Sequence, residues 1–175
     1  MKNIILIGYR CTGKTSVGKK VAEKLGLPFL DTDKVITREA QMSVEEIVRA
    51  GGWPLFRRKE KEAIRSLSSL KGAVIATGGG AFEDPENCEA LRGKGLFVWL
   101  TADGQTIVER MRSDGKCDGQ RPPLSGEGLE AEVAEMTRKR EPVYRGLADM
   151  MIDTSHKRID EIANEIVRFI REQGI

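Results

Sequence analysis

Apolar residues follow two patterns along this chain. The first is short and unbroken: "NIILI" from Asn3, "LPFL" from Leu27, "AVIA" from Ala73, "LFVWL" from Leu96 and "MMI" from Met150. Runs of this length suit strands buried on both faces, as in a parallel sheet. The second pattern is periodic. Val17, Val21 and Leu25 recur every fourth residue, and Ile159, Ile162, Ala163, Ile166, Val167 and Ile170 share one helical face. Strands therefore alternate with helices, which predicts one α/β domain with a parallel sheet over residues 1–175. There is no internal repeat and no low-complexity linker.

Local signals refine the boundaries. Ser43 and Glu46 have capping-box spacing ahead of Ile47 and Val48. Pro54 is placed to open the long helix that contains "FRRKEKEAIRSL". Asp84 and Pro85 read as the cap and first residue of another helix. Further helices are predicted over about 103–112 and 129–140. "SDGKCDGQRPPLSGEG", from Ser113, has no periodicity and is rich in Gly, Pro, Ser and Asp, so it reads as a binding loop or lid, placed at about 112–125.

Composition adds mainly exclusions. The chain has 175 residues, 39% apolar and 32% charged, with a formal charge of +2. Basic and acidic residues are mixed, which gives no reason to expect nucleic acid. No run reaches the length of a membrane span, and "NIILI" is too short for a signal peptide. Cys11, Cys88 and Cys117 are far apart, odd in number and match no zinc spacing. Reduced thiols in the cytoplasm are the expectation.

The candidate chemistry begins with "GYRCTGKTS". Gly8, Gly13, Lys14 and Thr15 fit G-x-x-x-x-G-K-[ST] between a buried strand and a helix. Glycines let the backbone wrap a phosphate with its N–H groups inward, and the helix adds its positive end. Lys14 is expected at the β- and γ-phosphates and the Thr15 hydroxyl at Mg²⁺. A glycine turn with a solvated lysine is the plainer alternative. The chain has neither the D-x-x-G nor the N/T-K-x-D segment of a switch GTPase, so a kinase leads.

Asp31 and Asp33 close the second strand as "DTD", at the edge where ligands bind in parallel sheets. If the segment is extended, both carboxylates face one pocket, one for Mg²⁺ and one to orient or deprotonate a substrate hydroxyl. Capping of a helix is the alternative. "TGGG" from Thr77 exposes backbone N–H groups to a ligand, or is a flexible turn. Arg57 or Arg58, Arg121 and Arg140 are candidates to grip carboxylate or phosphate, although any one alone fits a solvated surface role. The proline after Glu141 is expected to disturb the helix there.

Taken together, "GYRCTGKTSVG", "LPFLDTD", "MSVEEI", "FRRKE", "ATGGGA", "VWL", "RPPL", "KREPVY" and "DTS" resemble the shikimate kinases over nearly the full length. The resemblance implies a three-layer P-loop NTPase fold, with a five-stranded parallel sheet of order 2-3-1-4-5 and helices on both faces. It implies transfer of the ATP γ-phosphoryl group to the 3-hydroxyl of shikimate, giving shikimate 3-phosphate and ADP, a step towards chorismate and the aromatic amino acids. By matching position, Cys11, Thr12, Gly13, Lys14, Thr15 and Ser16 would cradle ATP, and Thr15 and Asp31 would serve Mg²⁺. Asp33 would contact the shikimate hydroxyls. Arg57 and Arg140 would clamp its carboxylate beside Gly78, Gly79 and Gly80. Glu60 would fix Arg57, and Phe56 would wall the pocket. Arg121 would come in with the lid to the phosphates, and helices over about 33–60 would bind the substrate. Arg110 and Ser155 to Lys157 would border the adenine.

Two positions depart from the family's usual pattern: Pro123 follows Pro122 in the lid, and Trp53 stands where glutamate is common. Lone His156 is expected to be exposed beside the last helix. A monomer without membrane or nucleic-acid partners is expected. A kinase for another small acid such as gluconate, or a nucleotide-binding module without phosphotransfer, are the competing readings.

Overall fold

The computed structural model describes residues 2–113 and 128–174. The unbroken apolar runs form β1 (Asn3–Ile7), β2 (Phe29–Asp31), β3 (Val74–Ala76), β4 (Gly95–Thr101) and β5 (Met150–Asp153). They pair in parallel, in the order β2-β3-β1-β4-β5. This is the order that the resemblance implies. The register aligns Ile4 with Val74 and Leu96, so the central strands all point to one carboxyl edge.

Between the strands run α1 (Lys14–Leu25), α2 (Thr32–Ala40), α3 (Val44–Ser68), α4 (Pro85–Leu91), α5 (Gly104–Ser113), α6 (Leu129–Leu147) and α7 (Ile159–Glu172). Every residue of β1 is buried, and alternate side chains go to opposite faces. Ile4 and Leu6 pack with Val17 and Val21 of α1 and with Ile162 and Ile166 of α7. Ile5 and Ile7 pack with Ile64 of α3, Leu91 of α4 and Tyr144 of α6. Three layers result, with apolar material above and below the sheet. Asn3 is the polar exception in β1. Its amide donates to the Leu70 carbonyl at 2.8 Å and accepts from the Ala73 N–H at 3.1 Å, so its burial leaves the loop before β3 satisfied.

Helix starts follow their sequence signals. Ser43 accepts from the Glu46 N–H while Glu46 reaches back to the Ser43 N–H. Asp84 caps α4 with Pro85 in its first turn. α3 is two helical pieces broken at Gly51 and Gly52, so Pro54 lies just after the break, near the start of the second piece, where its missing N–H costs nothing.

Two local expectations are corrected. Asp31 and Asp33 do not share an extended segment: Asp31 caps α2, and Asp33 lies in that helix's first turn. The helix containing Arg140 does not weaken at Pro142 but runs on to Leu147. Tyr144, beyond the proline, is buried against Trp99 with ring centroids 5.8 Å apart, and this packing offsets the hydrogen bond that proline cannot donate. Of the predicted 112–125 loop, Arg112 and Ser113 close α5. The rest, with Cys117, Arg121, Pro122 and Pro123, lies outside the described residues.

Candidate active site

The loop from Gly8 to Gly13 leaves the end of β1 and turns into α1. Gly8 has φ +140°, and a β-carbon there would stand 2.1 Å from the Leu100 carbonyl oxygen, so only glycine lets the loop start this close to β4. Cys11 and Gly13 take left-handed conformations, with φ 59° and 93°. No side chain caps α1, which leaves the N–H groups of its first turn for an anion. Lys14 is buried, and its ammonium donates to the Gly8 carbonyl at 2.8 Å and the Tyr9 carbonyl at 2.6 Å. Thr12 is also buried and donates to the Tyr9 carbonyl, whereas Ser16 is exposed.

The hydroxyl of Thr15 donates to Oδ2 of Asp31 at 2.9 Å. The other oxygen of Asp31 accepts from the Asp33 N–H at 3.1 Å. Asp31 therefore caps α2, as the alternative had it, and keeps its other oxygen beside the Thr15 hydroxyl. A hydroxyl and a carboxylate side by side next to an open helix N-terminus are hard oxygen donors, which suits Mg²⁺ with most of its water retained. Among the described residues no group of three or more His, Cys, Asp or Glu side chains could hold a metal unaided.

The glycine triplet follows β3 and meets the loop side on. At Gly78 a β-carbon would stand 2.4 Å from Oε1 of Glu60 and 3.3 Å from Oδ1 of Asp33. At Gly79 it would stand 3.4 Å from the Gly8 oxygen and the Arg10 nitrogen, and 3.6 Å from Nη1 of Arg140. At Gly80 it would meet Nη2 of Arg57 at 2.4 Å. Asp33, Arg57, Glu60 and Arg140, from three different helices, thus surround one short segment beside the phosphate loop. Arg57 donates to the fully buried Glu60 at 2.5 Å, and its guanidinium carbon lies 5.6 Å and 5.7 Å from the Phe56 and Trp53 ring centroids. Trp53 therefore supports Arg57 from the position where glutamate is common. Arg58 is exposed.

The adenine-side candidates do not form one group. Arg110 donates to the Cys11 carbonyl at 3.2 Å, and to the hydroxyl and carbonyl of Thr154 at 3.0 Å and 2.6 Å. It fastens the phosphate loop to the end of β5. Lys157 is exposed and paired with Glu165 at 2.9 Å, and His156 is exposed. Ser155 donates to Asp153 and accepts from the Asp103 N–H.

Several contacts of the site are not singled out by the sequence. Glu83 receives Arg140 at 3.0 Å and Lys139 at 2.8 Å. Tyr144 donates its hydroxyl to the Gly79 carbonyl, and burial raises its pKa, so it stays a donor at physiological pH. Arg10 pairs with buried Glu132 of α6. The Thr32 hydroxyl accepts from the Gly78 N–H at 3.0 Å. Arg10, Thr32 and Tyr144 lie inside the quoted motifs "GYRCTGKTSVG", "LPFLDTD" and "KREPVY", but nothing there marks their partners, and Glu83 and Glu132 lie in none of them.

This arrangement can be compared with known proteins. The family model described as shikimate kinase matches residues 10–171. The shikimate kinase of Syntrophus aciditrophicus is 45% identical over 98% of this chain and 92% of the relative. That of Caldanaerobacter subterraneus is 43% identical over 99% of both. The solved shikimate kinase from Acinetobacter baumannii in complex with shikimate superposes with a TM-score of 0.92 at 33% identity, covering 99% of this chain and 94% of that one. Sequence, sheet order and full-length superposition agree, and the chain belongs to the shikimate kinase family.

Proposed function

We propose that the protein is an ATP-dependent kinase that phosphorylates the 3-hydroxyl of shikimate. One observation carries the reading: a β-carbon at Gly79 would stand 3.4 Å from the Gly8 oxygen and the Arg10 nitrogen of the phosphate loop and 3.6 Å from Nη1 of Arg140. The phosphate cradle and Arg140 therefore adjoin at one glycine, with Arg57 beside the next, Gly80. Arg57 and Arg140 bind the acceptor carboxylate, which a planar guanidinium grips in two-pronged fashion. Asp33 accepts the hydrogen bond of the attacking hydroxyl and orients it. Lys14 and the loop amides hold the phosphates, and the γ-phosphorus exchanges its bond to the bridging oxygen for one to the shikimate oxygen. Thr15 would hold Mg²⁺ directly and Asp31 through water, and the ion supplies neutralisation of phosphate charge. The remaining work is positioning.

The proposal needs only residues of one chain, and we take the working unit to be a monomer. No helix among the described residues is long and apolar enough to cross a membrane. We place the enzyme in the cytoplasm. The test is ADP release with shikimate or gluconate as acceptor, with mass spectrometry of the product. Shikimate should give fast release and gain one phosphate. Faster release with gluconate, or ADP formed without mass added to shikimate, rejects the proposal.

A further inference from the structure

Each of the two acceptor-side arginines carries a carboxylate, but the two pairs are built differently. Glu60 is fully buried and lies one turn from Arg57 on the same helix. Glu83 comes from another part of the chain. It ends the short 3₁₀ turn Ala81–Glu83, directly after the glycine triplet, and its N–H donates to the Gly80 carbonyl at 3.1 Å. Its two oxygens are divided: Oε2 takes Nη2 of Arg140 at 3.0 Å, and Oε1 takes Lys139 at 2.8 Å. The Arg140 guanidinium carbon lies 5.6 Å from the Tyr9 ring centroid, so its plane is supported as well as its edge. Nη1 is then the atom that faces Gly79, at 3.6 Å from where a β-carbon would stand.

We propose that Glu83 is a positioning residue for the acceptor: by holding the Nη2 edge of Arg140 it turns the Nη1 edge towards the glycine triplet, where the acceptor carboxylate docks. This rests on the reading that Arg140 grips that carboxylate. Glu83 stays ionised: burial raises its pKa, but the Lys139 hydrogen bond and the Arg140 charge outweigh it and leave the pKa lowered. Lys139 offsets the acid's charge, so the carboxylate orients Arg140 without cancelling the local positive field. Held at one edge and on one face, the guanidinium loses little further freedom when the acceptor arrives.

Steady-state kinetics of the wild type, Glu83→Ala and Glu83→Gln, alone and with Arg140→Ala, test this. Glu83→Ala should raise the KM for shikimate by roughly three- to ten-fold, with kcat and the KM for ATP within about two-fold of wild type. Glu83→Gln, whose amide oxygen can still accept from Arg140, should fall between the two. In the Arg140→Ala background Glu83→Ala should add nothing. An unchanged KM overturns the inference. So does a lowered KM, which would mean the carboxylate only competes with the acceptor, or a loss shared equally by kcat and both KM values, which would mean a general structural role. A wild type that turns over ATP but not shikimate would instead remove the reading beneath it.

Discussion

Gly8 and Gly79 are neighbours in the site, yet a methyl group would cost different things at each. At Gly8 it would meet the Leu100 carbonyl oxygen at 2.1 Å on a backbone with φ +140°. At Gly79 the nearest atoms stand at 3.4 Å, an ordinary contact, and φ is unexceptional. Gly8→Ala should therefore lose on the order of 3 kcal/mol of stability. Gly79→Ala should melt like wild type but raise the KM for shikimate at least about five-fold, since its methyl fills the space beside Arg140. Melting curves and acceptor titrations on the two variants check this, and a Gly79→Ala protein with normal KM would refute it. At this scale the sequence exposed what is local. Lys14, Thr15, Arg57 and Arg140 stand in compact motifs, and the structure gathers them. The partners Glu83–Arg140, Gly79–Tyr144 and Arg10–Glu132 are 57, 65 and 122 residues apart, and no spacing rule reaches so far. Asp33 was misplaced for a local reason. "DTD" satisfies both a strand end and a helix cap, and the cap won when Asp31 took the Asp33 N–H.

Among the elements, α3 brings Phe56, Arg57 and Glu60 to the candidate site. Its first piece begins in the capping box, and its second carries Phe56, Arg57 and Glu60. The turn between them depends on Gly52, with φ +68° and ψ −177°, a combination open essentially to glycine alone. Gly52→Ala should cost about 1–3 kcal/mol and swing the second piece, so that both stability and shikimate affinity fall while ATP affinity changes little. Chemical denaturation and separate titrations of the two substrates measure this, and a variant with wild-type stability would contradict it. The strands were readable because a doubly covered sheet demands unbroken apolar runs. The extent of α6 was not, because Pro142 signals a stop locally. The contact that overrides it, Tyr144 on Trp99, depends on a strand remote in sequence.

In the molecule as a whole, carboxylates fix many of the joints. Backbone and hydroxyl hydrogen bonds from Thr106 hold Asp103 at about 2, Ser155 lowers Asp153, and Lys61 lowers Asp84. Each pKa in the fold lies below the 3.8 of a free aspartate. Unfolding in acid therefore takes up protons, and this stabilisation is complete above about 4 and lost as pH falls towards 2. The unliganded melting temperature should drop steeply between pH 4 and pH 2, and Asp103→Asn should flatten part of the slope. A melting temperature level across that range would refute this. Periodicity alone gave alternating strands and helices but not their order in the sheet, since several orders satisfy the same pattern. The order came from resemblance. Arg110, on the helix that leads up to Ser113, and Glu132, on the helix that departs from Gly128, are both bonded to the loop between Gly8 and Gly13. The phosphate loop is thus moored from two helices at once. A change that cuts either tie should slacken the hold on ATP before it disturbs the acceptor.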